Sequence, residues 1–253
     1  MMYAGLDVGS RTIKLVTLDS VLRESLVVET GANPLRRCLE ILSGRGFQRL
    51  VVTGYGRHLV APVQGGEVVS EIRAFAIGAR HLLPGCQGVI DIGGQDCKVI
   101  LLSPEGDVKR FEMNDRCAAG TGKFLEVMAR TLEVDIDALS DLALNASRKI
   151  AINSLCTVFA ESEVVSLIAR GEKTSAIAMA LHEAIATRVA TMARRVGVKE
   201  RVVFAGGAAL NGCLGRLLEE KLGTDLNVPE MPQVVGALGA ALLAKRETTE
   251  TLS

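Results

Sequence analysis

Two stretches of the sequence repeat one pattern of residues that can bind a phosphorylated ligand. The segments Asp7 to Lys14 (DVGSRTIK) and Asp91 to Lys98 (DIGGQDCK) each follow an apolar run, turn on glycine and carry a lysine seven residues after the aspartate. Glycine lets the backbone take a positive φ and approach an anion closely. An aspartate at a strand end can hold a divalent metal, often through water. Two such β-hairpins predict a duplicated fold that holds a nucleotide's phosphates from both sides.

A third glycine turn follows a strand in the last part of the sequence. Gly206 and Gly207 follow the predicted strand Arg201–Phe204, and a predicted helix begins after Asn211 and ends at Leu222. Paired glycines can let a ribose or a flat ring approach the backbone, although ordinary strand-to-helix turns also use glycine. The order of two hairpin turns and one strand-to-helix turn is more specific, and it resembles the sugar kinase, Hsp70 and actin superfamily.

The segment Ala119–Lys123 contains a Gly-Lys pair but does not fit the P-loop motif. That motif requires Ser or Thr after the lysine and glycine five residues before the second glycine, whereas these positions are Phe124 and Cys117. Instead of forming a P-loop, these glycines are expected to allow a helix start to approach a nucleotide or an interdomain cleft. The candidate binding residues of this segment are Gly120, Thr121, Gly122 and Lys123, with Lys123 expected near phosphate.

Two of the six cysteines stand in positions that suit metal binding. No cysteine belongs to a C-x-x-C pair, so the sequence shows no local zinc or cluster motif. Cys117 and Cys156 each precede a predicted helix, whose dipole favours the thiolate form that ligates iron. The alternative is that both are small buried apolar residues. Two thiolates cannot complete a four-cysteine site, but two copies of the chain related by a two-fold axis could.

The elements that would position these residues form two similar halves. The first half predicts strands Tyr3–Val8, Ile13–Leu18, Leu22–Thr30 and Arg49–Thr53, and helices Pro34–Leu42 and Ser70–Leu83. The second predicts strands Val89–Ile92, Cys97–Leu102 and Val108–Met113, then helices from Ala118 to Val196, the last of them Thr174–Val196 with an apolar stripe. A final helix, Gln233–Lys245, is rich in Ala and Gly, and the tail Glu247–Ser253 is expected to fray. Three antiparallel strands followed by alternating strands and helices indicate a ribonuclease-H-like unit.

Composition limits the classes of function. A chain of 253 residues can form one large domain or two small ones. A net charge of +0, only 3% aromatic residues and no Trp disfavour nucleic-acid binding. The longest apolar stretch, Val234–Ala244, is shorter than the roughly 20 residues of a membrane span. With no basic-then-apolar signal at the N-terminus, we expect a cytoplasmic protein without membrane association, whose cysteines form no structural disulfides.

Seven sequence blocks resemble one family of ATPases. In family order from residue 5 to about 244, they are DVGSRTIK, TGYGR, VIDIGGQDCKVI, MNDRCAAGTGKF, CTVFAESEV, AGGAALN and QVVGALGAALLA. They resemble the 2-hydroxyacyl-CoA dehydratase activators of the BadF/BadG/BcrA/BcrD ATPase family. The blocks around Cys117 and Cys156 are more specific than any glycine loop.

The resemblance implies an α/β fold of two ribonuclease-H-like domains of the sugar kinase/Hsp70/actin superfamily, with an ATP cleft between them. The expected domains are residues 1–86, joined by the C-terminal helix at 233–246, and residues 87–232 with the cluster cysteines. The resemblance also implies a homodimer with one [4Fe–4S] cluster, ligated by Cys117 and Cys156 of each subunit. Each subunit would bind one ATP with Mg²⁺.

The implied activity is ATP hydrolysis coupled to electron transfer. A low-potential electron would pass from ferredoxin or flavodoxin to a partner iron–sulfur enzyme such as a 2-hydroxyacyl-CoA dehydratase. Asp7 and Asp91 would orient Mg²⁺ or its waters, and Gln95 would position the attacking water. The residues expected to hold phosphates are Gly9, Ser10, Arg11, Lys14, Gly93, Gly94 and Gln95. Those expected to frame adenosine are Gly206, Gly207 and Asn211, with Gln233 nearby.

Arg11 departs from the family pattern, since members more often carry a small hydroxyl residue there. An arginine could instead reach the phosphates directly. The sequence does not separate the dehydratase activators from two related branches, the ATPase components of benzoyl-CoA-type reductases and the reductases of double-cubane cluster proteins. A small-molecule kinase of the same superfamily is a further alternative, although the chain is short and offers no obvious acceptor pocket. A non-enzymatic nucleotide switch would leave the two cysteine blocks unexplained.

Other residues have simpler interpretations. The segment Thr53–Arg57 is either a surface turn or a segment that lines the cleft or docks a partner. The isolated histidines His58, His81 and His182 are not expected to be ligands. Cys38 and Cys97 are expected to be packing residues.

Overall fold

The computed structural model of the protein describes residues 1–152 and 156–250. The first half forms a five-stranded sheet in the order β3-β2-β1-β4-β5. Its elements are β1 (Tyr3–Val8), β2 (Thr12–Leu18), β3 (Leu22–Glu29), α1 (Pro34–Leu42), β4 (Arg49–Thr53), α2 (Arg57–Gln64) and β5 (Glu67–Val68). Strand β1 is antiparallel to β2 and parallel to β4.

The helix α3 (Glu71–Leu82) leads into a second sheet with the matching order β8-β7-β6-β9-β10. The strands of this sheet are β6 (Gly88–Ile92), β7 (Cys97–Leu102), β8 (Val108–Asn114), β9 (Val202–Ala205) and β10 (Leu226–Asn227). The helices that follow α3 along the chain are α4 (Gly122–Thr131), α5 (Leu139–Leu144), α6 (Thr157–Ala169), α7 (Thr174–Val196), α8 (Gly212–Leu222) and α9 (Val235–Glu250). The predicted duplication is therefore confirmed at the level of strand order.

The two sheets are joined through a pair of packed helices. Buried residues of α9 pack with Tyr3, Val16 and Val51 of the first sheet. Buried residues of α3, including Phe75, pack with strands of the second sheet. The outer faces are covered by α1 and α2 on the first sheet, and by α4 to α8 on the second.

Glycine allows α9 to lie close to both α3 and β1. A Cβ at Gly78 would overlap the Val235 carbonyl oxygen, and a Cβ at Gly239 would overlap that of Ala74. A Cβ at Gly5 would overlap the Ala237 carbonyl oxygen. The small residues that the sequence shows in α9 therefore permit a tight helix crossing.

Three helices differ from the sequence-based predictions, and the two-residue strands β5 and β10 were not predicted. Helix α2 was not predicted; Pro62 lies inside it, and its first turn has no side-chain cap. Helix α4 begins at Gly122 rather than at Ala118, because Ala118–Thr121 forms a turn in which both the Thr121 N–H and its hydroxyl donate to the Ala118 carbonyl. Helix α9 continues to Glu250, so residues 247–250 of the tail are helical, and 251–253 lie outside the described residues.

Among the described residues, no helix combines the length and the apolar composition that a membrane crossing requires.

Candidate functional site

A cleft of about 360 Å³ is lined by residues from both halves of the chain. That volume lies within the range of small-molecule sites. Of the predicted site residues, the cleft brings together Asp7, Gly9, Ser10, Arg11, Lys14, Asp91, Gly93, Gly94, Gly122, Gly206, Gly207, Asn211 and Gln233. Gln95, Gly120, Thr121, Lys123, Cys117 and Cys156 do not line it.

The first hairpin places Asp7 and Lys14 opposite each other on β1 and β2. Lys14 Nζ lies 3.2 Å from Asp7 Oδ2, and both side chains are largely buried. Thr30, the residue after β3, holds the turn between β1 and β2, because its hydroxyl donates to the Gly9 carbonyl over 2.8 Å. In the part of the chain that the structure describes, Lys14 pairs with one carboxylate, so its ammonium group retains N–H donors for an anion in the cleft.

The second hairpin repeats this pair at Asp91 and Lys98 but adds further carboxylates. Lys98 Nζ lies 3.0 Å from Asp91 Oδ2 and 2.9 Å from Glu71 Oε2, and it also pairs with Asp96. Burial opposes the charge on Lys98, but the three carboxylates outweigh this effect and raise its pKa well above the usual value. Burial raises the pKa of Asp91 to about 6, although Lys98 acts in the opposite direction. Glu71 and Asp96 line the cleft, and neither was predicted as a site residue.

A glycine after the fourth strand of each sheet lies against the aspartate of the first strand. Gly54 has φ +89°, and a Cβ there would overlap Asp7 Oδ1. Gly206 has φ +87°, and a Cβ there would lie 2.5 Å from Asp91 Oδ1. The Gly54 backbone thus lies against the Asp7 carboxylate, Tyr55 is exposed, and none of the residues Thr53–Arg57 is among those that line the cleft.

The strand-to-helix turn holds Asn211 in a fixed orientation. Asn211 Oδ1 accepts the Leu214 N–H over 2.9 Å and caps α8. The Asn211 side-chain amide lies 2.9 Å from His182 Nε2, and His182 Nδ1 lies 2.7 Å from the Ala178 carbonyl oxygen. Because the Ala178 carbonyl only accepts and the Asn211 NH₂ group only donates, a neutral ring with its proton on Nδ1 satisfies both contacts, and burial lowers the pKa of His182. No sequence pattern indicates this contact, because His182 and Asn211 lie on different elements.

The start of α4 is attached to the second hairpin. The Gly122 N–H donates to the Gly93 carbonyl over 2.9 Å, and the Lys123 N–H donates to the Gly94 carbonyl over 2.8 Å. The Lys123 ammonium lies 3.3 Å from Glu126 Oε2. This segment therefore approaches the hairpin through its backbone, while the Lys123 side chain contacts a carboxylate.

Burial divides the six cysteines into two groups. The thiols of Cys38, Cys86, Cys97 and Cys213 are buried, and burial raises the pKa of each. Cys117 is half-buried and Cys156 is exposed. Searched over residues 1–152 and 156–250, the chain shows no group of three or more His, Cys, Asp or Glu side chains that could hold a metal ion.

The two accessible cysteines relate differently to helices. Cys156 is the N-cap residue of α6, as predicted. The expectation of a helix start directly after Cys117 is wrong, since α4 begins five residues later and its first N–H groups bind the second hairpin. The Cys117 segment is instead held by Asn114, whose side-chain amide donates to the Cys117 and Ala119 carbonyls over 2.8 and 3.1 Å.

Two relatives match nearly the whole chain in sequence. The 2-hydroxyisocaproyl-CoA dehydratase activator of Clostridioides difficile is 40% identical over 99% of this chain and 97% of its own length. The (R)-2-hydroxyglutaryl-CoA dehydratase activating ATPase of Acidaminococcus fermentans is 40% identical over 97% of this chain and 98% of its own.

Solved structures support the fold. The activator of the 2-hydroxyisocaproyl-CoA dehydratase from Clostridium difficile, solved with bound ADPNP, matches with a TM-score of 0.92 and 39% identity over 100% of this chain and 97% of that one. A ROK family glucokinase from Streptomyces griseus matches with a TM-score of 0.63 and 12% identity over 97% of this chain and 100% of that one. At this identity the likeness shows the fold alone. The predicted α/β architecture of the sugar kinase, Hsp70 and actin superfamily is confirmed. With a family model matching residues 4–244, the chain belongs to the BadF/BadG/BcrA/BcrD ATPase family.

Proposed function

We propose that this protein hydrolyses ATP in the cleft and uses the reaction to deliver a low-potential electron to a partner iron–sulfur enzyme. The names of its relatives point to a 2-hydroxyacyl-CoA dehydratase as that partner. The observation that carries the electron-transfer part of the proposal is that four of the six cysteines are buried and two are accessible. Cys117 and Cys156 are the accessible thiols, and each lies in one of the two most specific sequence blocks.

The cleft offers the groups that a magnesium nucleotide requires. Lys14 would contact the phosphates together with the backbone of the glycine turns in both hairpins. Asp7 and Asp91 would hold Mg²⁺ or its waters, since hard cations prefer carboxylate oxygen. The glycines at 206 and 207, with Asn211 and Gln233, would frame the adenosine. Gln95 is exposed, so positioning a water molecule would require it to turn toward the cleft.

The accessible thiols fit an iron–sulfur cluster shared between two subunits. Cysteine thiolates are the usual ligands of [4Fe–4S] clusters, and two subunits would contribute Cys117 and Cys156 each. Cys156 stands at the positive end of α6, where a helix dipole favours thiolate. When bound, such a cluster would supply one-electron transfer, with ferredoxin or flavodoxin as the proposed donor.

The surface of α6 supports association with a second copy. Val158 and Phe159, two and three residues after Cys156, are both 67% exposed, and Val165 and Ile168 are further exposed apolar residues of the same helix. Burying these side chains against the same helix of another subunit would remove them from water and bring the two Cys156 residues to one interface.

A chain of hydrogen bonds would connect phosphate binding to the Cys117 segment. The carbonyls of Gly93 and Gly94 accept the first N–H groups of α4, and the turn before α4 leads back to Cys117. Asn114, at the end of β8, holds the same segment from the other side. A shift of the second hairpin on nucleotide binding would therefore move α4 and the thiol together.

The proposed domain division, 1–86 with 233–246 against 87–232, is supported by the packing of α9 on the first sheet.

Anaerobic purification of matched cysteine variants tests the proposal. The unmodified protein should be a brown dimer with about four irons and four sulfides, and it should pass electrons to a 2-hydroxyacyl-CoA dehydratase only with ATP. Cys117→Ser should lose the iron, whereas Cys38→Ala, at a buried cysteine of the first half, should keep it. A Cys117→Ser protein with full iron and sulfide content would contradict the assignment. A colourless monomer that phosphorylates a small molecule would favour a kinase.

A further inference from the structure

Arg11 extends from the first hairpin across the cleft to α4. Its Nε atom lies 2.9 Å from Glu126 Oε1, and both residues line the cleft. The arginine passes over the second hairpin where that hairpin has no side chain. A Cβ at Gly94 would lie 2.7 Å from Arg11 Cβ and 3.7 Å from Ser10 Oγ. The absence of a side chain at Gly94 thus allows Arg11 to reach the opposite half.

The two oxygens of Glu126 contact different cations. Oε1 faces Arg11, and Oε2 lies 3.3 Å from Lys123 Nζ. Arg11 has a second carboxylate neighbour, Glu29, but that contact is 4.0 Å long and Glu29 is 79% exposed. Glu126 is only 19% exposed, so its pair with Arg11 is the better shielded of the two.

The position of Arg11 places it where phosphate oxygens are expected. Arg11 Cβ and Ser10 Oγ both lie close to Gly94, and Ser10 and Gly94 are two of the residues assigned to phosphate binding. A guanidinium group matches the geometry of a phosphate and binds it with paired hydrogen bonds. A nucleotide in this cleft would therefore offer Arg11 an anion that competes with Glu126.

We propose that Arg11 and Glu126 make the cleft selective for ATP over ADP. Glu126 holds Arg11 when no terminal phosphate is bound, and the terminal phosphate of ATP draws Arg11 away from it. ADP is one phosphoryl group shorter and leaves the Arg11–Glu126 pair in place. Arg11 is then a specificity-determining residue and Glu126 its positioning residue. The inference rests on the proposed nucleotide site and adds to it the recognition of the third phosphate.

Binding of ADP and of the analogue ADPNP to four variants tests this inference. Glu126→Gln should tighten ADPNP binding about fivefold, because Arg11 loses its competing partner, and should change ADP binding by about twofold or less. Arg11→Gln should weaken ADPNP binding about tenfold with little change for ADP. In the double variant, Glu126→Gln should add nothing to the effect of Arg11→Gln. Glu29→Gln is the matched control and should change neither affinity.

Three results would overturn the inference. One is an equal gain for ADP and ADPNP in Glu126→Gln. Another is the same gain in the Arg11→Gln background, which would mean that Glu126 repels phosphate directly. The third is an equal gain in Glu29→Gln.

Lys14→Met separates this inference from the nucleotide site itself. If Lys14→Met leaves both affinities unchanged, the site is wrong; if it weakens both while the Arg11 and Glu126 variants keep the ADPNP-to-ADP ratio, only the selectivity inference fails.

Discussion

The two hairpins carry the same aspartate–lysine pair at the same register but surround it with different charges. In the first, Lys14 faces Asp7 and its side chain is 15% exposed. In the second, Lys98 faces Asp91, is 2% exposed and also contacts Asp96 and Glu71. Asp96 comes from the same hairpin, at the position where the first hairpin has Thr12. Glu71 is the first residue of α3.

This difference assigns different tasks to two copies of one motif. A lysine ammonium group has three N–H donors, and Lys98 has three carboxylate acceptors for them. Lys98 is therefore an internal cation that fixes Asp91 and joins the second hairpin to α3. Lys14 has donors available and is the lysine suited to contact phosphate. Arg57 extends the second network, since its guanidinium lies 3.5 Å from Glu71 Oε1 and ties it to the segment after β4.

Lys98→Met should produce the largest loss of stability. Removing the cation leaves the buried Asp91 carboxylate without its lysine partner, which typically costs about 3–5 kcal/mol. Lys14→Met should cost only roughly 1–2 kcal/mol, because one carboxylate loses one hydrogen-bonding partner. Urea unfolding at neutral pH measures both values.

The loss in Lys98→Met should become smaller in mild acid, where Asp91 can take up a proton and no longer needs a cation. Equal losses in the two lysine variants would refute the distinction between an internal and a ligand-facing lysine. So would a loss in Lys98→Met that does not depend on pH.

Local sequence signals predicted most of the framework that carries these pairs. The limits of α1 match because Pro34 occupies its first turn and Asn33 caps it. The end of α7 matches because Gly197 adopts a left-handed conformation there. Helix α2 was missed, since a proline in a short apolar segment normally argues against a helix.

Contacts between distant segments account for the parts of the site that were not predicted. Glu71 meets Lys98, His182 meets Asn211, and Arg11 meets Glu126 only after the halves fold together. The start of α4 was misplaced for the same reason, because its first N–H groups are satisfied by the carbonyls of Gly93 and Gly94. Spacing along the chain identifies a repeated motif, but it does not show which copy receives additional carboxylates.

Lys14→Met should weaken nucleotide binding more than Lys98→Met does. Loss of a charged hydrogen bond of about 1.5–3 kcal/mol should weaken both ADP and ADPNP by roughly 10- to 100-fold. Folded Lys98→Met protein should bind both nucleotides within about threefold of the unmodified affinity. In the unmodified protein the Lys98 ammonium donors already face carboxylates and are not available to a nucleotide. Calorimetric titration measures both. A greater loss of affinity in Lys98→Met than in Lys14→Met would reverse the proposed tasks.

The smallest expected effect is on the pH dependence of ATP hydrolysis. Burial raises the pKa of Asp91 to about 6, and kcat/KM reports the ionisation of groups in the free enzyme. If ionised Asp91 is required, kcat/KM should fall as the pH decreases through about 6. Because this pKa lies above the value of 3.8 expected for unfolded aspartate, protonation of Asp91 favours the folded state between about pH 6 and pH 4. The activity loss should therefore precede any unfolding through this group.

The two lysines should shift this acid limb by different amounts. Both lower the pKa of Asp91, and Lys98 does so more strongly than Lys14. Lys98→Met should therefore move the limb to higher pH by more than Lys14→Met does. Rate measurements from about pH 5 to about pH 8 on the three proteins would show the order. If the limb lies at the same pH in all three, the lysines do not control the ionisation of Asp91, and the second hairpin would hold its aspartate by packing rather than by charge.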